Sequence, residues 1–174
     1  MTSRVPALIV HGGAGADPGG REELRAGMRE AVLAGWRALA AGGTALDAVE
    51  AAVRSLEDHP RFNAGRGSVL TSEGTVETDA SIMEGDRLRN GAVAAVSGVR
   101  NPITLARRIL EDGHHSLFVG PGAAARARAL GVERCDPAEL ITEHQRRRLA
   151  LVQAGTVGAA VSYTHLTLQT IYSV

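Results

Sequence analysis

A few stretches of this 174-residue chain carry residue types and spacings that could do chemistry. The segment His11 to Gly20 is the first, because Gly13-Ala14-Gly15 with Gly19 follows an apolar run. That pattern imitates the turn that offers backbone amides to a pyrophosphate at a helix N-terminus. A dinucleotide fold also needs a second parallel strand directly after its helix, with an acidic residue for the ribose. Here a second helical pattern follows instead, and an ordinary glycine turn accounts for the stretch more simply. His114, His115 and Cys135 are potential metal ligands by type. Adjacent histidines on an extended strand point to opposite faces, and no spacing here matches a zinc site, so a surface or turn role is expected. Arg146, Arg147 and Arg148 read as a solvated helix face. The block from Leu56 to Gly85 is polar and glycine-rich, and it carries Glu57, Asn63 and Asp79, none of which a core requires. Near the end stands Gly155-Thr156-Val157-Gly158, which taken alone is the start of a strand.

The elements that would position these residues are legible from periodicity. Val5 to Val10 is a short apolar run, expected as a buried strand. Leu24, Met28, Val32, Gly35, Trp36 and Leu39 fall on one helical stripe that stops at Gly42-Gly43. Thr44 with Asp47 opens a second helix whose inner face is Leu46, Val49, Val53 and Leu56. Two strands are expected around Ser72-Glu73-Gly74, with Val76, Ala80 and Ile82 facing inward. Another strand covers Gly91 to Val99, Asn101-Pro102 opens a helix closed by Gly113, and His115 to Gly120 is a strand. Pro121 to Gly131 forms a short helix, Asp136-Pro137 starts a last helix running to Gln153, and a strand begins at Thr156. The order β-α-α-β-β-β-α-β-α-α-β indicates a mixed α/β fold with paired helices in one domain.

Composition narrows the function classes. The formal net charge is zero, which gives no pull toward nucleic acid or a membrane surface. The longest apolar runs are far too short to span a bilayer. A single cysteine, Cys135, excludes an internal disulfide framework and fits a reducing cytosol. Every Lys-or-Arg position is arginine, and both tyrosines, Tyr163 and Tyr172, fall in the last dozen residues.

Taken in order, the segments His11–Ala16, Gly42–Gly85, Gly91–Arg107 and Gly155–Ala159 resemble the plant-type asparaginase / isoaspartyl peptidase family of N-terminal nucleophile hydrolases. The likeness covers residues 5 to about 161. It implies an α-β-β-α sandwich, of which this chain holds the first, α-subunit half. It also implies that a precursor cuts itself between Gly155 and Thr156, making Thr156 the catalytic first residue of a second subunit. The freed α-amine, with a reference pKa of ~7.7–8.0, can then act as base for the threonine's own hydroxyl. By the same resemblance Gly12, Gly13 and Asn63 would support the nucleophile. The carbonyls of Leu56, Glu57, His59, Phe62, Ala64 and Arg66 would wrap a structural sodium ion, which a hard-cation oxygen cage allows whatever the side chains are.

The resemblance further implies a small-molecule substrate, asparagine or an isoaspartyl dipeptide, with no cofactor for catalysis. A β subunit supplies the rest of the site, the assembly is (αβ)2 and the setting is cytoplasmic. Residues 1–155 then form the α-subunit region, 156–161 the start of the β subunit, and 162–174 a tail foreign to the rest, of the kind a cloning artefact produces. The tail is uncharged, and its Ser162, Thr164 and His165 would interrupt a buried strand. On this reading the fragment by itself is inactive. Glycosylasparaginase, which shares the nucleophile, is the rival enzyme reading, favoured by a secretory signal or disulfides. A nucleotide-binding or interaction module is the non-enzyme rival, disfavoured by the two helices after the glycine turn.

Overall fold

The computed structural model describes residues 5–13 and 20–155. Among them, helix α1 (Arg21–Ala40) and helix α2 (Ala45–Asp58) form an antiparallel pair in front of a small sheet. Strands β1 (Thr78–Glu84) and β2 (Arg89–Val96) are antiparallel neighbours, and β3 (Leu117–Val119) lies parallel to β2, giving the order β1-β2-β3. Helix α3 (Pro102–Asp112) connects β2 to β3 and packs on both β1 and β2. Helix α4 (Gly120–Ala129), a 3-10 turn (Pro137–Leu140) and helix α5 (Glu143–Gln153) complete the described part. The mixed α/β class expected from the sequence is what forms.

The core sits where α3 meets the sheet. Val93, Val96, Leu105 and Ile109 pack with Ala123 and Ala127 of α4, and Ile82, Ile103, Ala106 and Leu110 form an adjoining cluster. On the opposite face of the sheet, Ser81, Met83, Leu117 and Val119 stay exposed.

Helix α2 begins as its sequence predicts. The Thr44 hydroxyl accepts from the Asp47 backbone N–H at 3.2 Å, and the Asp47 carboxylate accepts from the Thr44 backbone N–H at 2.7 Å. The Thr44 hydroxyl also donates to that carboxylate at 2.7 Å, and this bond, with the backbone one, holds the Asp47 carboxyl below the usual carboxylate range. Thr44→Ala removes one half of this box, so thermal or urea unfolding should show a loss of ~1 kcal/mol. An unchanged midpoint would show that the box adds nothing to stability.

Several expectations are corrected. Val5–Val10 is not a strand, because no described strand lies beside it to complete a ladder. Instead Val10 packs against Ala31, Leu56 and Phe62, while Val5 and Ile9 are 85% and 94% exposed. The buried face of α1 is Gly27, Ala31 and Gly35, with Val32 and Trp36 turned outward. Close helix approach explains this, since a Cβ on Gly35 would sit 2.8 Å from the Ala48 carbonyl oxygen. The matching face of α2 is therefore Ala48, Ala52 and Leu56, and Val49 is exposed.

The turn at Ser72–Gly74 forms, with the Thr71 N–H donating to the Thr75 carbonyl at 2.9 Å, but no ladder grows from it. Leu70 and Val76, which would face each other across that turn, pack into a cluster with Leu140 instead of extending a ladder. The real hairpin is β1–β2. Asn101-Pro102 does open α3 and Gly113 closes it, although the Asn101 side chain does not cap. The last helix is split. Asp136 and Glu139 box the 3-10 turn, and Thr142 then starts α5 anew by accepting from the Gln145 N–H.

Candidate functional site

The link between α2 and β1 is where most of the candidate residues meet. Its first stretch, residues 56–67, folds back on the end of α2 through backbone bonds. The Arg66 N–H donates to the Glu57 carbonyl at 2.7 Å, the His59 N–H to Leu56 at 3.2 Å and the Phe62 N–H to His59 at 3.4 Å. Gly65 and Gly67 have φ of +53° and +99°. A Cβ on Gly65 would lie 2.6 Å from the Glu57 carbonyl oxygen, and one on Gly67 would overlap the Pro60 carbonyl and touch that of Phe62 at 3.0 Å. Only glycine satisfies both the conformation and the space. Backbone oxygens thus crowd onto the inside of the loop.

Side chains fasten the loop from outside. The Phe62 ring is buried against Leu56 and Ala31, with its centroid 5.0 Å from the ring of His59. Gly27 of α1 makes room for both rings. Arg61 pairs with Glu23 of α1 at 3.4 Å. Asn63 Oδ1 accepts from the Val69 N–H at 2.9 Å, so its amide braces the loop's exit. Gly12 lies against this assembly, since a Cβ there would meet Phe62 Cε1 at 2.8 Å and Met28 Sδ at 2.7 Å. Gly13, at φ +101°, donates its N–H to Nδ1 of His11 at 3.2 Å. Gly12, Asn63 and the loop are therefore one neighbourhood. Ala64 is half-buried, and the Arg66 side chain is exposed beside a cleft of about 290 Å³ shared with Asp58, Arg100, Glu139 and Leu140.

Glu57 corrects the reading that the core has no need of it. It is 2% exposed, and its Oε1 accepts the Ile103 N–H at 2.9 Å, the cap that Asn101 does not supply to α3. Burial pushes its carboxyl up to about 8, against the lowering effect of the Ile103 N–H and the Asn101 amide, while the neighbouring Asp58 charge adds to the rise. Its second oxygen has no partner among the described residues. Asp79 is likewise structural. Its Oδ1 accepts the Ala95 N–H at 2.7 Å at the β1–β2 bulge, where Ala95 has φ +49°. A clue to Glu57 was in the sequence, because a carboxylate in the last turn of a helix opposes the dipole and needs a tertiary reason.

No three His, Cys, Asp or Glu side chains cluster as a metal site among the described residues. Backbone carbonyls are the donor type a hard cation takes, and those of Leu56, Glu57 and His59 each keep a lone pair beyond the backbone N–H they accept. His114, His115, Arg146 and Arg147 are exposed while Arg148 of the expected solvated face is half-buried, and burial raises the Cys135 thiol above its ordinary range. Gly155, at φ +67°, follows the end of α5. Thr156, and Gly15 and Gly19 of the first loop, lie outside the described residues.

The sequence profile of the asparaginase family matches residues 4–169. The chain belongs to the asparaginase family. This asparaginase-family chain is 52% identical over 156 residues to the plant-type L-asparaginase of Thermococcus kodakarensis, a stretch covering 86% of the chain and 50% of that relative. It is 52% identical over 147 residues to the plant-type L-asparaginase of Pyrococcus furiosus, covering 82% and 46%. Against the isoaspartyl peptidase/L-asparaginase of Homo sapiens it is 48% identical over 147 residues, covering 83% and 47%. The chain spans about half the length of the curated relatives it matches. The family match includes Gly155 and Thr156 and continues past residue 161, so it does not itself mark a break there.

Proposed function

We propose that this chain is the α-subunit region, with the nucleophile, of an asparaginase / isoaspartyl peptidase that hydrolyses the side-chain amide of asparagine or the isoaspartyl bond of a dipeptide. The observation that carries the reading is the family match running through Gly155-Thr156, with relatives that bear both names. In the proposed maturation the Thr156 hydroxyl attacks the Gly155 carbonyl, and the acyl group moves from nitrogen to oxygen. The C–N bond breaks as the amine takes the proton. Water then hydrolyses the ester, leaving a Gly155 carboxylate and a free Thr156 amine. The same hydroxyl, with the amine as base, then attacks the substrate amide, releases ammonia or an amino acid, and is freed by water.

In this reading the sheet is one layer of an α-β-β-α sandwich. Its bare face at Ser81, Met83, Leu117 and Val119 meets the sheet of the second subunit, within an (αβ)2 assembly in the cytoplasm. No helix among the described residues is long and apolar enough to cross a membrane. The test is to assay the full-length protein for ammonia from L-asparagine and for aspartate from an isoaspartyl dipeptide. Turnover of neither substrate refutes the proposal.

The loop at residues 56–67 is proposed to hold a sodium ion through the carbonyls of Leu56, Glu57, His59, Phe62, Ala64 and Arg66. The ion would supply charge to lock a turn that already converges oxygens, not chemistry. Raising sodium against a choline control should raise the melting temperature of the full-length protein by a few degrees, about RT ln(1 + [L]/Kd) in stability. Equal melting in both salts removes the site.

A further inference from the structure

The same loop is tied to the helix that leads to the proposed cleavage point. Gln145, in the first turn of α5, is 5% exposed, and its Nε2 donates to the Gly67 carbonyl at 2.8 Å in a buried bond. The Gly67 N–H donates in turn to the Leu140 carbonyl at 2.9 Å. Farther along α5, Leu149 packs on the cluster of Leu70, Val76 and Leu140, and Gln153 Nε2 donates to the Ser72 carbonyl at 3.3 Å. The helix ends there, and only Ala154 separates it from Gly155. A helix held along its length acts as a rigid arm, and Gly155 follows its end.

The Gln145 amide is a costly way to fill that space. Its Oε1 is buried without a hydrogen-bond partner among the described residues. An apolar side chain of similar length would occupy the volume without that penalty. The retained amide is explained by its hold on Gly67.

We infer that Gln145 is a positioning residue for self-cleavage, locking α5 onto the glycine end of the 56–67 loop so that the end of α5, and Gly155 with it, is held in place. The inference rests on the reading of Thr156 as nucleophile. Cleavage needs the hydroxyl, the scissile carbonyl and the groups around them in register, and a displacement of ~1 Å can cost ~10²-fold in rate. The amide thus acts on maturation and drops out once the bond is cut.

The test follows intact mass with time in the full-length precursor and in its Gln145→Met and Gln145→Ala variants. Gln145→Met keeps the bulk and removes the donor, so it guards against simple unfolding. Thr44→Ala, remote from α5, serves as the destabilised control, and each protein is held at the same interval below its own melting temperature. Both Gln145 variants should cut before Thr156 at least about tenfold more slowly, while Thr44→Ala keeps the wild-type rate. The kcat/KM of the matured fraction of each variant should equal wild type, a split that general loosening would not produce. Wild-type rates in the Gln145 variants, or slowing no greater than in Thr44→Ala, overturn the inference alone. A wild-type precursor that never cuts before Thr156 overturns the nucleophile reading and this inference with it.

Discussion

Thr156→Ala in the full-length protein leaves the chain uncut and lowers amide hydrolysis by on the order of 10⁴-fold or more, as loss of a covalent nucleophile does. The size of the effect follows from how many roles one residue carries. In the proposed mechanism its hydroxyl is the attacking group for both maturation and turnover, and its amine, once free, is the base. Alanine deletes the hydroxyl, so the chain stays uncut, no amine is freed, and neither reaction has a nucleophile. Thr156→Ser keeps the oxygen and should retain measurable cleavage and turnover, which separates loss of chemistry from misfolding. Intact mass and ammonia release read the two steps independently. A Thr156→Ala protein that is cut and active would show that the nucleophile lies elsewhere, whatever family the chain belongs to.

The second large effect is structural, at Gly67. An alanine there must hold φ near +99° and place its Cβ into the Pro60 carbonyl, with Phe62 O 3.0 Å away. Left-handed strain costs ~1–3 kcal/mol and overpacking against atoms that cannot move costs ~1–3 more. A domain of this kind holds ~5–15 kcal/mol in total, so Gly67→Ala should lower the melting temperature by roughly 5–20 °C. Gly42→Ala is the informative comparison, since Gly42 has φ +84° but open space where the Cβ would go. It carries the conformational cost alone. If calorimetry shows the two variants equally destabilised, the crowding of carbonyls inside the loop is not what makes Gly67 necessary.

By itself the sequence determined most of what depends on local chemistry. The Thr44–Asp47 box, the start of α3 at Pro102 and its stop at Gly113, and the solvated face at Arg146 and Arg147 are encoded within a few residues of where they act. The ordered blocks that place the chain among the asparaginases are equally local, and so is the identity of Thr156 as the residue to test. What only the tertiary structure decided involves partners far along the chain. Helical periodicity puts Val32 and Trp36 on one stripe with Leu24, Met28 and Gly35, but the neighbouring helix demands small residues, so Gly27 and Ala31 join Gly35 on the inner face and Val32 and Trp36 turn outward. An apolar run such as Val5–Val10 becomes a strand only beside another strand. Gln145 is a polar helix residue like any solvent-facing one, and the clue at Glu57 names no partner; only the fold brings Gly67 and Ile103, 78 and 46 residues away, to the groups they bond. A buried polar side chain is justified only by its partner, and pairing across such distances is a property of the fold.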